Sequence, residues 1–333
     1  MRALLVLAAI AGSAHGDGRS PIRPAAPPQG GAGAVDGGYF RDLVSDVRTQ
    51  LDAAHAAKAP PLVPPVRVDV KWKPVRIGSL DLGAPLVALV AGDLDKDGKA
   101  ELYAVTTREV VAYSLEHKPH ELGRVAFSGE LAVPSPRDVV GTAIVDGDAV
   151  IAAVSVWTTP LRVHWAKRVL VASPSAPGFA LCKGEPVAQL VPGRDYFAGQ
   201  LYGARCRTDL MDPEGHALNV RATLAITGRL TVKVSRCAPA CALVGEHEYG
   251  NVGVAFEIAD VDHDGRPEII VSGAGAPGDP DAVKVMTFGD DEKKPVFRKP
   301  FTGGVAGIVD VDGAVIAAVR LVGATRVDLW RLD

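Results

Sequence analysis

The chain has 333 residues, 47% of them apolar and 23% charged, and its formal net charge is −3. The apolar fraction excludes a disordered chain and fills the core of one large domain or two modest ones. The near-neutral balance, with no Lys/Arg stripe interleaved with aromatics, excludes nucleic-acid binding driven by electrostatics.

The first 16 residues have the layout of a secretory signal peptide. They run from a basic start at Met1-Arg2 through an apolar stretch, Ala3 to Ala11, to small residues at Gly12-Ser13-Ala14 and Gly16. That stretch is too short to cross a bilayer, and it holds no Cys for a lipid anchor. No later segment is long enough to be a transmembrane anchor. The expected mature chain therefore starts near Asp17 and is exported, periplasmic or extracellular. Residues 17–39, rich in Gly, Pro and Ala, read as a flexible linker. Across residues 40–58, Phe40, Leu43, Val44, Val47, Leu51 and Ala54 recur at three- and four-residue steps. This predicts one amphipathic α-helix, closed by Pro60-Pro61.

From residue 66 to 333 the pattern is β throughout, in a chain whose 36 Gly and 25 Pro suit many short strands and tight turns. The first unit predicts strands at residues 85–91, 101–106, 109–115 and 121–127. Between the first two lies Asp93-Leu94-Asp95-Lys96-Asp97-Gly98-Lys99-Ala100-Glu101. A second segment, Asp260-Val261-Asp262-His263-Asp264-Gly265-Arg266-Pro267-Glu268, repeats the pattern between Val254–Ile258 and Ile269–Val271. Each has acids at positions 1, 3, 5 and 9 and Gly at position 6. Ca²⁺ takes six to eight oxygen ligands at short range, and a Gly lets alternate side chains converge on one point. Four acids this close repel one another without a cation. Two sites follow. One is Asp93, Asp95, Asp97 and Glu101 with the carbonyl of Lys99; the other is Asp260, Asp262, Asp264 and Glu268 with the carbonyl of Arg266. An EF-hand is excluded, because position 12 is Ala104 or Val271 rather than Glu, and the flanks are strands.

The order strand, Asp-x-Asp-x-Asp-Gly-x-x-Glu, strand closely resembles the FG-GAP or VCBS repeat. That family builds β-propeller blades and is known from integrin α-chain heads and many bacterial extracellular proteins. The resemblance implies an all-β propeller, preceded here by the amphipathic helix, with calcium in a structural role. It rests strongly on two blades and weakly on the rest.

Other units echo the first. One starts at Val139–Asp148 and continues through residues 149–154, 161–165 and 168–172. A late one starts at Gly304–Gly313 and continues through Ala314–Val319. Their Asp-Gly turns lack the full acidic set, and they read as degenerate turns without metal. Residues 179–237 hold strand material and no such loop. Anchors near Asp93, Asp146, Asp195, Asp260 and Asp310 recur at roughly a blade's length. This gives about five blades, within a range of four to six. The last unit is one strand short, and residues 66–80 are the candidate that closes it.

An even count of cysteines, Cys182, Cys206, Cys237 and Cys241, points to disulfides in an exported chain. Short separations favour Cys237 with Cys241 and Cys182 with Cys206. The other connectivities stay open, with a zinc site as the rival. Gly273–Gly278 matches a dinucleotide fingerprint by letters, but Pro277 and Pro280 forbid the helix such a loop must open. Glu246-His247-Glu248 reads as a solvated turn, with metal binding as the alternative. Asp290–Lys294 reads as a solvated hairpin loop. No catalytic set appears. The function expected is a calcium-binding module for a protein or glycan ligand whose identity the sequence does not give. The alternatives are a propeller enzyme, hydrolase or lyase, using the central channel, or a structural envelope component.

Overall fold

The computed structural model describes residues 70–333 apart from 132–140, 176–200, 213, 226, 238–240, 265, 276–278, 290–293 and 322–324. Segments 1–16 and 17–39 lie outside the described residues. Of residues 40–58 only Val47 is described, as helical.

Twenty strands form five four-stranded antiparallel sheets. Strand β1 (Val75–Asp81) precedes the first complete blade, which holds β2 (Leu86–Gly92), β3 (Glu101–Thr106), β4 (Glu109–Ser114) and β5 (His120–Ala126). Blade 2 holds β6 (Gly141–Asp146), β7 (Ala149–Val154), β8 (Leu161–Ala166) and β9 (Val169–Pro174). Blade 3 holds β10 (Leu201–Met211), β11 (Ala217–Ala225), β12 (Leu230–Cys237) and β13 (Cys241–Tyr249). Blade 4 holds β14 (Val252–Ala259), β15 (Glu268–Gly273), β16 (Asp281–Thr287) and β17 (Phe297–Phe301). Blade 5 holds β18 (Val305–Val311), β19 (Ala314–Arg320) and β20 (Arg326–Leu332), and β1 completes it.

The first strands pack side by side around an axis: β2 on β6, β6 on β10, β10 on β14, β14 on β18 and β18 back on β2. This is a five-bladed β-propeller. Strands covered on both faces read as continuous apolar runs, and β3 and β7 are buried along their whole length. The outer strand β5 is largely exposed and polar. The core is a set of layers between sheets. Tyr103, Val105 and Val110 of blade 1 share one layer with Val150, Val154 and Trp157 of blade 2. Leu224 and Val232 of blade 3 share another with Phe256 and Ile269 of blade 4. Each buried Val, Leu or Phe contributes roughly 1.5–3 kcal/mol relative to exposure. Near the axis the first strands approach closely through glycine. A Cβ on Gly307 would lie 2.8 Å from Leu89 Cβ, and one on Gly141 2.6 Å from a Val87 methyl.

The ring is closed where expected. Strand β1 pairs antiparallel with β20, from Val75 opposite Arg331 to Asp81 opposite Arg326. It occupies only the end of the predicted 66–80 segment and runs on to Asp81. Before it, Trp72 leaves the sheet and packs edge-on against Phe297 at 5.2 Å. Joining the two ends of the domain within one sheet makes closure depend on every intervening blade.

Two expectations are corrected. Glu246-His247-Glu248 is strand β13 and not a turn. An outer strand keeps only every second residue inward, and a β-bulge at Val244 shifts that phase, so Val244 and Tyr249 are both buried. The glutamates between them face outward to Lys233 at 3.2 Å and Arg229 at 3.3 Å. In blade 3, the turn equivalent to the other anchors is Asp212–His216, between β10 and β11, and not the vicinity of Asp195. Asp195 itself lies outside the described residues. Cys237 and Cys241 face each other in the β12–β13 ladder and are disulfide-bonded. Cys206 is also disulfide-bonded; Cys182, its expected partner, lies outside the described residues. Asp290–Glu292 and Lys293 of the expected hairpin loop lie outside them too.

Candidate metal centres

In every blade the first strand runs along the axis and turns back into the second. These five turns therefore gather at one end of the ring, and all five carry acids. They are Asp93–Glu101, Asp146–Asp148, Asp212–His216, Asp260–Glu268 and Asp310–Gly313.

In the first loop, carboxylate oxygens of Asp93, Asp95, Asp97 and Glu101 lie within 4.8 Å of one another. The backbone holds them there. Asp95 Oδ1 accepts from the Asp97 N–H at 3.0 Å, Asp93 Oδ2 from Gly98 at 3.0 Å, and Asp97 Oδ1 from Lys99 at 2.9 Å. Glu101 begins β3 and is 3% exposed. Its Oε2 accepts from the Leu94 N–H at 3.0 Å and from the Tyr103 hydroxyl at 2.9 Å. The Trp165 indole N–H of blade 2 in turn donates to the Tyr103 hydroxyl at 2.8 Å. Lys96, at position 4, has φ +65°, a left-handed conformation that turns the chain between the acids. The side chain of Lys99 pairs with Glu116.

The second loop repeats the design. Asp264 N–H donates to Asp262 Oδ1 at 3.2 Å and to Asp260 Oδ1 at 3.0 Å, and Arg266 N–H donates to Asp264 Oδ1 at 2.8 Å. Glu268 is 2% exposed and accepts from the Val261 N–H at 2.9 Å. His263 at position 4 has φ +60° and is exposed. Here the converging carboxylates are those of Asp260, Asp262 and Glu268; Asp264 is exposed and is not among them. Asp260 and Asp262 are half-buried, whereas Asp93 and Asp95 are exposed.

Burial without a cation shows in the acidities. Burial raises the Glu101 carboxyl above the usual range, with Asp95 and Asp93 adding to it. Burial pushes Glu268 up to about 9, with its neighbouring aspartates contributing. Asp262 is raised by burial and then by Asp264. A positive charge placed among these groups would favour their ionised forms. The donors are all carboxylate oxygens, hard ligands that suit Ca²⁺ or Mg²⁺ and not a soft metal. The residues fit such an ion. The carbonyls of Lys99 and Arg266 remain expectations for the binding experiment.

The other three turns differ in one respect: an arginine meets the acid. Arg162 of β8 reaches Asp148 at 2.8 Å and Asp146 at 3.4 Å. Arg207 of β10 reaches across to Asp310 at 2.8 Å, while holding Asp209 at 2.6 Å and the Ile258 carbonyl at 3.0 Å. Arg236 of β12 lies 2.8 Å from Asp212, whose side chain is 2% exposed. The Asp212 turn also brings Glu214 and His216 into one group. His216 Nδ1 is 3.2 Å from both Asp212 oxygens. This turn escaped the sequence reading. Its signal is Asp212-Pro213-Glu214-Gly215-His216, an acid and a Gly between two strand-like runs.

On the axis itself the cavity between the first strands is about 20 Å³, room for about one water. Arg205 and the buried Glu257 form an ion pair at 3.4 Å beside it. No helix among the described residues is long and apolar enough to cross a membrane.

No family model matches the chain, and no curated protein matches it. Among solved structures it is similar to Raptor of Chaetomium thermophilum, at 9% identity and a TM-score of 0.41 over 80% of this chain. The chain spans 29% of the length of that protein. It is also similar to the PQQ-bound aldose sugar dehydrogenase of Streptomyces coelicolor, at 14% identity and a TM-score of 0.32 over 77% of this chain and 80% of that one. At these values the likenesses carry no argument about function.

Proposed function

We propose that the protein is an exported, calcium-stabilised β-propeller of the FG-GAP/VCBS kind that serves as a binding or scaffold module for a protein or glycan. One observation carries the reading. The two turns with a full acidic set converge their carboxylates with a buried glutamate, whereas an arginine meets the acids of the remaining three. The position that a protein cation fills in three blades is left to a metal in two. Calcium there ties each first strand to its second and cancels the repulsion among the acids. The Cys237–Cys241 disulfide and the layout of residues 1–16 support export. An axial cavity the size of one water gives no support to an enzyme working through the central channel. The test is calorimetric titration of the chelator-treated protein with calcium. Two sites are expected, each with a dissociation constant of about 10⁻⁴ to 10⁻³ M. Absence of any calcium heat, together with identical melting in calcium and in chelator, rejects the reading.

A further inference from the structure

Between blades 1 and 2, against the first acidic loop, lies an open pocket of about 670 Å³. That is the size of a small-molecule site. Its walls include the Trp165 ring and Leu122, a large apolar side chain left 39% exposed. Three cations also line it: Lys96 of the acidic loop, and Lys167 and Arg168 of the β8–β9 hairpin. Among the described residues none of these three is engaged in an ion pair, in contrast to Arg162 nearby. The acids of the lining are accounted for. Asp148 is held by Arg162, and Asp95 and Asp97 belong to the converging set of the loop. A divalent cation in that set lowers its charge from −4 to −2, which leaves a net +1 when set against the three cations of the pocket.

Two further features are specific to this pocket. Lys167 and Arg168 both have positive φ, +50° and +68°. A two-residue hairpin of this kind ordinarily uses Asn-Gly; here it presents two long cations despite the backbone strain. Trp165 is seated over Gly123, where an added Cβ would meet the ring at 3.3 Å. Its indole N–H is tied through the Tyr103 hydroxyl to Glu101 of the loop. One wall of the pocket is thus hydrogen-bonded to the candidate metal ligand.

We infer that this pocket binds a carboxylated sugar unit, a uronic-acid residue, with its carboxylate at Lys96, Lys167 and Arg168 and its ring against Trp165 and Leu122. A sugar acid also brings a ring of hydroxyl donors for Asp148, a pocket-lining side chain of which Arg162 meets Oδ1 and leaves Oδ2; a peptide terminus lacks such hydroxyls. The calcium part of the argument rests on the function proposed above; the three cations and the ring do not.

The experiment is calorimetric titration with D-glucuronate, D-galacturonate, D-glucose and an acetylated dipeptide with a free C-terminal carboxylate. Each is run on calcium-loaded and on chelated protein. One uronate should bind at least tenfold more tightly than glucose and the dipeptide, and more tightly with calcium than without. The double variant Lys167→Asn plus Arg168→Gly keeps the hairpin chemistry while removing both charges. It should lose at least tenfold in uronate affinity with calcium binding unchanged. Calcium-loaded protein that binds neither uronate overturns the pocket and leaves the calcium reading standing. Uronate binding that is the same with and without calcium, in a protein without calcium heat, keeps the pocket and rejects the calcium reading. Equal binding of the dipeptide, or full affinity in the double variant, overturns the sugar assignment.

Discussion

Blades 1 and 4 differ from blades 2, 3 and 5 in how the same turn is neutralised. All five turn from first to second strand through an acid. In three of them the compensating charge is an arginine supplied by another strand: Arg162, Arg236 or Arg207. In the other two the acids multiply until they form a ligand set, and the position-9 glutamate is buried beneath them. An arginine is a permanent part of the fold, always charged. A metal held by the two acidic sets would be exchangeable, and stability at those two blades would then depend on the medium. The comparison teaches that one position in the fold, the turn from first to second strand, can accommodate its acids in two ways: by an arginine from another strand, or by a converging set that could hold a metal.

The largest single-residue effect is expected on the arginine side. Removing one member of a buried ion pair strands the other, at a cost of about 3–5 kcal/mol. Arg236→Ala removes the guanidinium from Asp212, whose side chain is 2% exposed but keeps the Glu214 and His216 N–H donors and the His216 ring, so the loss by urea unfolding should fall at the low end of that range. The loss should be the same in calcium and in chelator. Rescue by calcium would mean that the Asp212 turn is itself a metal site and would break the division into two kinds of turn.

The metal side comes next. Calcium at a hundredfold excess over its dissociation constant stabilises by about 2.7 kcal/mol per site. Chelation should lower the melting temperature accordingly. Asp95→Ala combined with Asp262→Ala should abolish the difference between calcium and chelator, and each single variant should remove about half of it. If Asp95→Ala alone removes all of it, the second loop, where Asp264 stands outside the converging set, is the weaker partner.

The pH dependence sharpens the contrast within the metal pair. Glu268, raised to about 9 by burial, binds its proton more tightly folded than unfolded. The stability this confers is fully present below the unfolded value, near pH 4.3, and is lost as pH rises through about 9. Metal-free protein should therefore weaken steadily across that window. Saturating calcium, which favours the ionised carboxylate, should flatten the slope. Glu268→Gln should flatten it in chelator. A chelated protein with no pH slope between 5 and 9 would show that Glu268 is already compensated.

The smallest effect is expected at blade 2. Arg162 and its partners Asp146 and Asp148 are largely exposed, and exposed pairs contribute about 0–1 kcal/mol. Arg162→Ala should stay within that range and shrink further in high salt. A larger loss would move the blade 2 turn into the class of blades 3 and 5.

Much of this was legible in the sequence, because it is written in local rules. Period-two and continuous apolar runs mark strands such as β2, β3, β7 and β19. The spacing of Asp93–Glu101 and Asp260–Glu268 marks the two loops. The missing strand of the last unit points to a closing segment before residue 81. Each of these signals lies within a few residues of chain, where backbone geometry and side-chain alternation act directly. What only the tertiary structure decided is non-local. Arg207 meets Asp310 across 103 positions, and Trp165 reaches Tyr103 across 62. The glutamates of β13 are strand residues because β12 offers a ladder that pairs Lys233 with Glu246 and Thr231 with Glu248. Charge compensation and pocket walls come from whatever the ring of blades brings alongside, and no spacing in the chain records which residues those are.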